Sequence, residues 1–356
     1  MPGHLEGVRV LDLTIWRPGP YATQLLAEQG ADVLKVEPPG GDPMRSMPDL
    51  FDILGAGKRS IVLDLKQDED RARCLELAAD ADVFVESYRP GVADRLGMGH
   101  GAVSARNPRI VYASISGFGA VGPLAGRPGH DVNYLAQSGT LRPRGGPPVH
   151  PTIPVSDLAG GVAGAFAITT AFLGALRHGR GERVDVSVAD VLATWVGPVG
   201  PVEMVGVDAP LRGLPGYGTF TTADGGCIAL GIMNEDHFWA GLCRALGLGD
   251  CEHLDHAERT RRVCELNERI GDVLAGLTGT EALERLAAHD VPVSPVLDRD
   301  GMLAHPHFRE RGTVVTTDDG HIASGPLVRF EDRPGRPPHG APAVGADDAT
   351  WLPRPG

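Results

Sequence analysis

Along the first half of the chain, apolar residues gather in short β-branched runs that alternate with stretches of helical spacing. Residues 8–13, 31–36, 60–65, 82–86, 109–115 and 181–190 read as strands, and 21–29, 68–79 and the long apolar segment 158–176 as helices. The first strand, the turn Arg17-Pro18-Gly19-Pro20, the first helix and the second strand predict a right-handed βαβ start. Continued alternation predicts a parallel sheet covered by helices on both faces. From residue 217 the pattern changes to a hairpin over 217–231, then helical segments at 237–246, 256–278 and 280–289, with short strands at 291–295 and 312–316. The expectation is an α/β chain: a large Rossmann-like parallel-sheet domain over 1–190, a Gly-, Pro- and Val-rich linker over 191–216, and a smaller α+β domain over 217–317. Residues 318–356 are expected to return to the large domain.

Composition narrows the function. A chain of 356 residues exceeds one ordinary core, and its net charge of -13 argues against nucleic acid or an anionic membrane as partner. No unbroken apolar run reaches the roughly eighteen residues of a membrane span, and residues 1–7 are no signal peptide, so a cytoplasmic protein is expected. Five cysteines without a C-x-x-C pair, and histidines without H-E-x-x-H, give no metal or disulfide signal. His305 and His307 flank Pro306 with no carboxylate beside them, a poor metal site. The first βα turn lacks G-x-G-x-x-G, because Gly19 is followed by no glycine until Gly30. That sets aside a nicotinamide cofactor.

The stretch 126–161 carries the candidate chemistry. His130 and Asp157 each follow a Gly- or Pro-rich turn and precede an apolar segment, which places both at the rim of the core. Asp157 reads first as a helix N-cap, and His130 equally as a loop histidine satisfying a carbonyl. Ala159, Gly160, Gly161, Ala163 and Gly164 make the helix start nearly bare, which would let a ligand approach its amides and their positive dipole end. In parallel sheets ligands bind beyond the carboxyl ends of the strands. There Arg45, Lys58, Arg59, Arg89 and Arg95 are either solvated surface or a grip for a nucleotide's phosphates, with Tyr88 available to stack on its base.

Several phrases resemble the family III CoA-transferase superfamily, which includes the α-methylacyl-CoA racemases: RPGPYATQLLAEQGADVLKVEPPGGDPMR, GKRSIVLDLK, VESYRPGVADRLGM, NPRIVYASISGFG, GRPGHDVNYLAQSGTL and GRGERVDVSVAD. The resemblance runs from about Leu5 to Thr313. It implies an acyl-CoA thioester substrate and an interlocked homodimer whose active site lies between the large domain of one subunit and the small domain of the other. Transferases of the superfamily are similar at Asp157, where the carboxylate is a nucleophile, but usually carry an aromatic residue at the place of His130 and a glycine-rich loop after the hairpin. This sequence has His130, then Ile232-Met233-Asn234-Glu235 after the hairpin, and so looks like the racemases. The implied reaction inverts the α-carbon of a 2-methylacyl-CoA through an enolate. His130, made more basic by Glu235, works on one face and Asp157 on the other, with the enolate oxygen on amides at the helix start. Lys58, Arg59, Arg45, Arg89, Arg95 and Tyr88 are then CoA contacts, and no cofactor or metal is required. A CoA-transferase acting through Asp157 and a non-catalytic CoA-binding protein are the alternatives. Trp195, Met204, Met233 and Trp239 are candidates for the acyl site as much as for the core.

Overall fold

The β-branched runs form a six-stranded, all-parallel sheet in the order β3-β2-β1-β4-β5-β6. Its strands are β1 (Arg9–Leu13), β2 (Asp32–Glu37), β3 (Arg59–Val62), β4 (Val83–Glu86), β5 (Val111–Ser116) and β6 (Arg183–Ser187). This is the expected α/β class. The computed structural model describes residues 3–141, 148–196, 214–316, 322–333, 335, 340–347 and 349–352. The linker residues 197–213, with Met204, lie outside them.

Alternate side chains of the central strands enter different cores, as a doubly covered sheet requires. Leu11, Leu34, Phe84 and Tyr112 face one core with Cys74, Leu77 and Ala78 of α3 (Asp68–Ala79). Val10, Val33, Val85 and Ala113 face the other, with Ala22 and Leu26 of α1 (Pro18–Glu28) and Ile168 and Ala175 of α7 (Val155–His178). Shorter helices complete this unit: α2 (Pro48–Gly55), α4 (Val92–Arg95), α5 (His100–Arg106), α6 (Asp131–Gln137) and α8 (Val188–Val196). Helix α8 replaces the end of the strand expected over 181–190. The V-x-V alternation ran on through Val188, but Ser187 Oγ accepts from Asp190 N at 3.2 Å and caps a new helix there.

Contacts divide the chain into one unit of residues 1–142, 149–197 and 306–356, and a second of 143–148 and 198–305. The second holds the sheet β7-β8-β9 (Tyr217–Thr221, Cys227–Gly231, Val293–Pro295), with α9 (Asp236–Leu246), α10 (His256–Arg261), α11 (Val263–Leu274), α12 (Gly279–Ala287) and α13 (Arg299–Ala304). Trp239 is fully buried at its centre and donates from Nε1 to Cys251 O at 2.9 Å, so it belongs to the core rather than to an acyl site. The first unit ends with α14 (Pro306–Glu310) and the antiparallel pair β10 (Val314–Thr316) and β11 (Ile322–Ser324).

Helix α7 departs from the expectation about membrane spans, because its 24 residues are long and apolar enough to cross a bilayer by length and composition. The small residues Gly160, Gly161 and Gly164 on one face pack tightly. A β-carbon on Gly164 would stand 2.7 Å from Ile115, and one on Gly161 3.0 Å from the Pro18 carbonyl oxygen of α1. Its other face exposes Val162, Phe166, Leu173 and Leu176.

Candidate active site

The strand order reverses direction between β1 and β4, the switch point where a parallel sheet opens a crevice for ligands. Two loops meet there. After β1 the chain runs Thr14-Ile15-Trp16-Arg17, and after β4 it runs Ser87-Tyr88-Arg89. They are stitched together, because Ile15 N donates to Ser87 Oγ at 2.8 Å and Ser87 Oγ donates to Ile15 O at 2.9 Å.

Beneath the loops lies a buried charge cluster. Asp12 accepts from Thr14 N at 2.8 Å, Thr14 Oγ1 at 2.5 Å, Thr23 Oγ1 at 2.6 Å and Lys58 Nζ at 3.0 Å. Burial opposes its ionisation, but Lys58, Lys35 and the two hydroxyls together hold its pKa down to about 2. Lys35 Nζ reaches Thr14 O and Asp42, each at 2.7 Å. Lys58 also donates to Pro20 O and Thr23, and its burial pushes the ammonium down to about 8. Lys58 is thus a core residue, not a surface cation open to a phosphate. Arg45 forks onto Glu37, stacks on Phe51 at 4.1 Å and donates to Pro342 O at 3.0 Å. Arg59 pairs with Asp32 and Asp347 and donates to Thr350 O. These two arginines tie Pro342, Asp347 and Thr350 to the sheet, where the sequence left each as either solvated surface or a grip for phosphates. Arg89 is exposed on the β4–α4 loop, beside a partly buried Tyr88, and Arg95 is exposed at the end of α4.

The pinned β1 loop holds Trp16 at φ 63, a left-handed conformation unusual for a bulky residue and held only where surroundings over-determine it. Its indole meets the His130 ring edge-on, with centroids 5.8 Å apart. His130 is the exposed N-cap of α6, and its N–H donates to Asn133 Oδ1 at 3.0 Å. Behind it, Tyr134 donates its hydroxyl to Gly129 O at 2.6 Å and packs where a side chain on Gly117 or Gly129 would stand.

Asp157 is not the N-cap of its helix. Helix α7 begins at Val155, two residues earlier, and its cap comes from Asp131 of α6, a feature local sequence could not disclose across that separation. Asp131 Oδ1 accepts from Ser156 N at 2.7 Å, Ser156 Oγ at 2.5 Å and Asp157 N at 3.3 Å, while His150 Nε2 stands 2.8 Å from Oδ2. The residue after His130 therefore clamps the turn that carries Asp157. Among the described residues, none donates a hydrogen bond to the Asp157 carboxylate. Burial pushes its pKa up to about 6, the charge of Asp131 adds to this, and Arg17 opposes it. The helix start is also not the bare platform the glycines suggested, since Gly160, Gly161 and Gly164 are consumed by packing.

Glu235 lies in the second unit as the N-cap of α9, where its Oε2 accepts from Met233 N at 3.0 Å. Its own amide, that of Met233 and nearby His237 and Arg259 hold its carboxyl below the ordinary range. Arg259, almost fully buried, carries this turn: it pairs with Asp236 at 2.7 Å, reaches Asn234 O at 3.4 Å and stacks on Trp239 at 5.4 Å. A separate polar cavity of about 290 Å³ opens beside β4 and β5, lined by Glu86, Tyr88, Arg89, His100, Tyr112 and Arg183; neither His130 nor Asp157 lines it. No cluster of three or more metal-binding side chains occurs among the described residues.

Residues 5–348 match the model of CoA-transferase family III. The chain belongs to that family. Among similar proteins, human α-methylacyl-CoA racemase is 33% identical over 352 residues, covering 94% of this chain and 88% of the relative. The acetyl-CoA:oxalate CoA-transferase of Acetobacter aceti is 31% identical over 364 residues, covering 94% and 92%. A solved structure of a hypothetical protein from Mycobacterium tuberculosis superposes with a TM-score of 0.86 at 28% identity and 97% coverage of both chains. A CAIB/BAIF family protein from Brucella suis gives 0.84 at 26% identity, again with 97% coverage of both. The protein is an enzyme of family III, and an acyl-CoA thioester substrate is consistent with that membership.

Proposed function

We propose that this family III enzyme inverts the α-carbon of 2-methylacyl-CoA thioesters by two-base proton transfer. One group removes the α-proton, the C–H pair enters the enolate, and the opposite group returns a proton to the other face. His130 and Asp157 take these parts, and each is base in one direction and acid in the other. What carries the reading is Asp157: a partly buried carboxyl with no hydrogen-bond donor among the described residues and a pKa pushed up to about 6, close to where a group must both accept and release a proton near neutrality. Asp131 adds support by fixing the loop of His130 to the helix of Asp157. Glu235 is assigned to raise the basicity of His130. Arg89, Arg95 and Tyr88 are assigned to CoA. The reading needs no cofactor beyond the CoA that is part of the substrate.

Incubating a 2-methylacyl-CoA in deuterated water tests the proposal: label should enter the α-carbon as configuration is lost. His130→Ala and Asp157→Ala should each abolish racemisation, and wild-type rates in both variants would refute it.

The second reading is an acyl-CoA:carboxylate CoA-transferase, favoured by transferase relatives such as the one from Acetobacter aceti at 31% identity. There Asp157 attacks the thioester carbonyl, releases CoA thiolate and carries the acyl group as an anhydride; the thiolate then attacks the Asp157 carbonyl, expels the donor's carboxylate and leaves an aspartyl-CoA thioester. Hydroxylamine trapping of acyl-Asp157 during turnover would select it. A cytoplasmic homodimer remains part of the proposal, supported by the apolar stripe Val162, Phe166, Leu173 and Leu176 on α7; a monomeric mass in solution would contradict it.

A further inference from the structure

Proton abstraction next to a thioester leaves negative charge on the carbonyl oxygen, and that oxygen needs donors. The start of α7 offers fewer of them than the sequence suggests. Ser156 N and Asp157 N already donate to Asp131, and Leu158 N donates to Pro154 O at 3.1 Å. Among the described residues, a charged donor without a hydrogen bond lies in the β1 loop that packs on this turn of α7. The guanidinium of Arg17 is partly buried and forms no hydrogen bond or ion pair among the described residues, yet its charge is felt by Asp157.

The fold explains why it stands there. Arg17 is the N-cap of α1, with its carbonyl accepting from Tyr21 N at 3.0 Å. The first turn of α1 packs directly on α7 one turn beyond Asp157, where a β-carbon on Gly161 would meet Pro18 O at 3.0 Å and Tyr21 Cβ at 3.1 Å. The neighbouring Trp16, in its left-handed conformation, lays its indole against His130. Arg17 thus sits between a residue whose indole touches the His130 imidazole and one whose carbonyl packs on α7 one turn past Asp157. Asp12, Lys35 and Ser87 fix the loop below it.

We propose that Arg17 is a catalytic residue, donating charged hydrogen bonds to the thioester oxygen as it becomes the enolate oxygen. The electron pair of the broken α-C–H bond forms the enolate C=C, and the carbonyl π pair moves onto the oxygen facing Arg17. On return, that pair rebuilds C=O while the opposite acid protonates the carbon. Nothing is oxidised or reduced. The inference rests on the racemase reading and adds a residue to it.

The test measures α-hydrogen exchange of a 2-methylacyl-CoA in deuterated water for wild type, Arg17→Met, Arg17→Ala, Arg17→Gln and Arg17→Lys, with kcat and KM taken separately across pH. Loss of one such donor costs about 10²- to 10³-fold in kcat. Arg17→Met should lose about that much kcat with KM changed by no more than a few-fold, Arg17→Lys should retain part of it, and free guanidinium should restore part of the rate in Arg17→Ala. The pH limb belonging to Asp157 should move upward once the opposing charge is gone. A purely structural role would lower melting temperature without splitting kcat from KM. If wild type exchanges and Arg17→Met does so within about three-fold of it, this inference alone is overturned. Wild type that exchanges no α-hydrogen removes the racemase reading and Arg17's role with it. Should Arg17→Met fail to fold, the neutral Arg17→Gln decides: wild-type kcat there, with no upward movement of the pH limb, overturns the inference.

Discussion

Replacing Asp157 by asparagine should abolish activity and make the protein more stable. The carboxylate accepts no hydrogen bond from a described residue, so the amide forfeits none. Its pKa rises from 3.8 to about 6 on folding, with burial as the main cause and the Asp131 charge next. For an acid raised in this way the sign is fixed: the fold bears no penalty below the unfolded pKa, and loses stability as pH climbs through the folded one. At pH 8 the ionised group costs up to about 3 kcal/mol, at about 1.4 kcal/mol per unit of displacement. Because the side chain keeps some contact with solvent, roughly 1–3 kcal/mol is the range to expect. Since 1 kcal/mol moves Tm by roughly 2–4 °C in domains of 150–250 residues, Asp157→Asn should melt several degrees above wild type at pH 8. Scanning calorimetry from pH 4 to pH 8 should show the gap opening with pH. A variant that melts at or below wild type at pH 8, or a gap independent of pH, would refute the assignment of Asp157 as a desolvated, unpaired carboxylate.

Two further outcomes follow from the clamp and from the buried charges. Asp131→Asn weakens the cap of α7, a loss of about 1 kcal/mol for an ordinary cap, and removes the charge that helps push Asp157 up. Its pH–rate profile should shift to lower pH while Tm falls, and an unshifted profile would mean that Asp131 does not act on Asp157. Lys58→Met strands Asp12 in the core, at a cost of about 3–5 kcal/mol, and should yield unstable protein that Asp12→Asn partly rescues. A stable Lys58→Met with only a raised KM for the CoA thioester would return Lys58 to the role of phosphate contact.

The parallel sheet was legible because runs such as residues 83–85 of β4 are buried on both faces and show as continuous apolar stretches. His130 and Asp157 stood out because each follows a turn rich in Gly or Pro. What local pattern could not convey was long-range commitment. Asp131 looks like a first-turn acid of its own helix, but acts 25 residues away on another. Lys58 and Arg59 look like surface cations, but one is sealed against Asp12 and the other grips Thr350. The glycines of α7 were read as openings, whereas the neighbouring chains that fill the space come from α1, β5 and α8. Trp16 offered one overlooked signal: a bulky residue just before a Pro-Gly-Pro turn at the end of the first strand.

The large unit is finished by residues made long after its first strands. Arg59 waits for the carbonyl of Thr350, 291 positions later, Trp351 docks its indole N–H on Leu77 O at 3.0 Å, and Arg9 reaches Leu352 O at 2.8 Å. During synthesis, then, β1, β2 and β3 emerge from the ribosome long before the carbonyls that Arg9 and Arg59 bind. Cropping residues 340–352 should therefore harm a sheet whose strands were translated at the other end of the message.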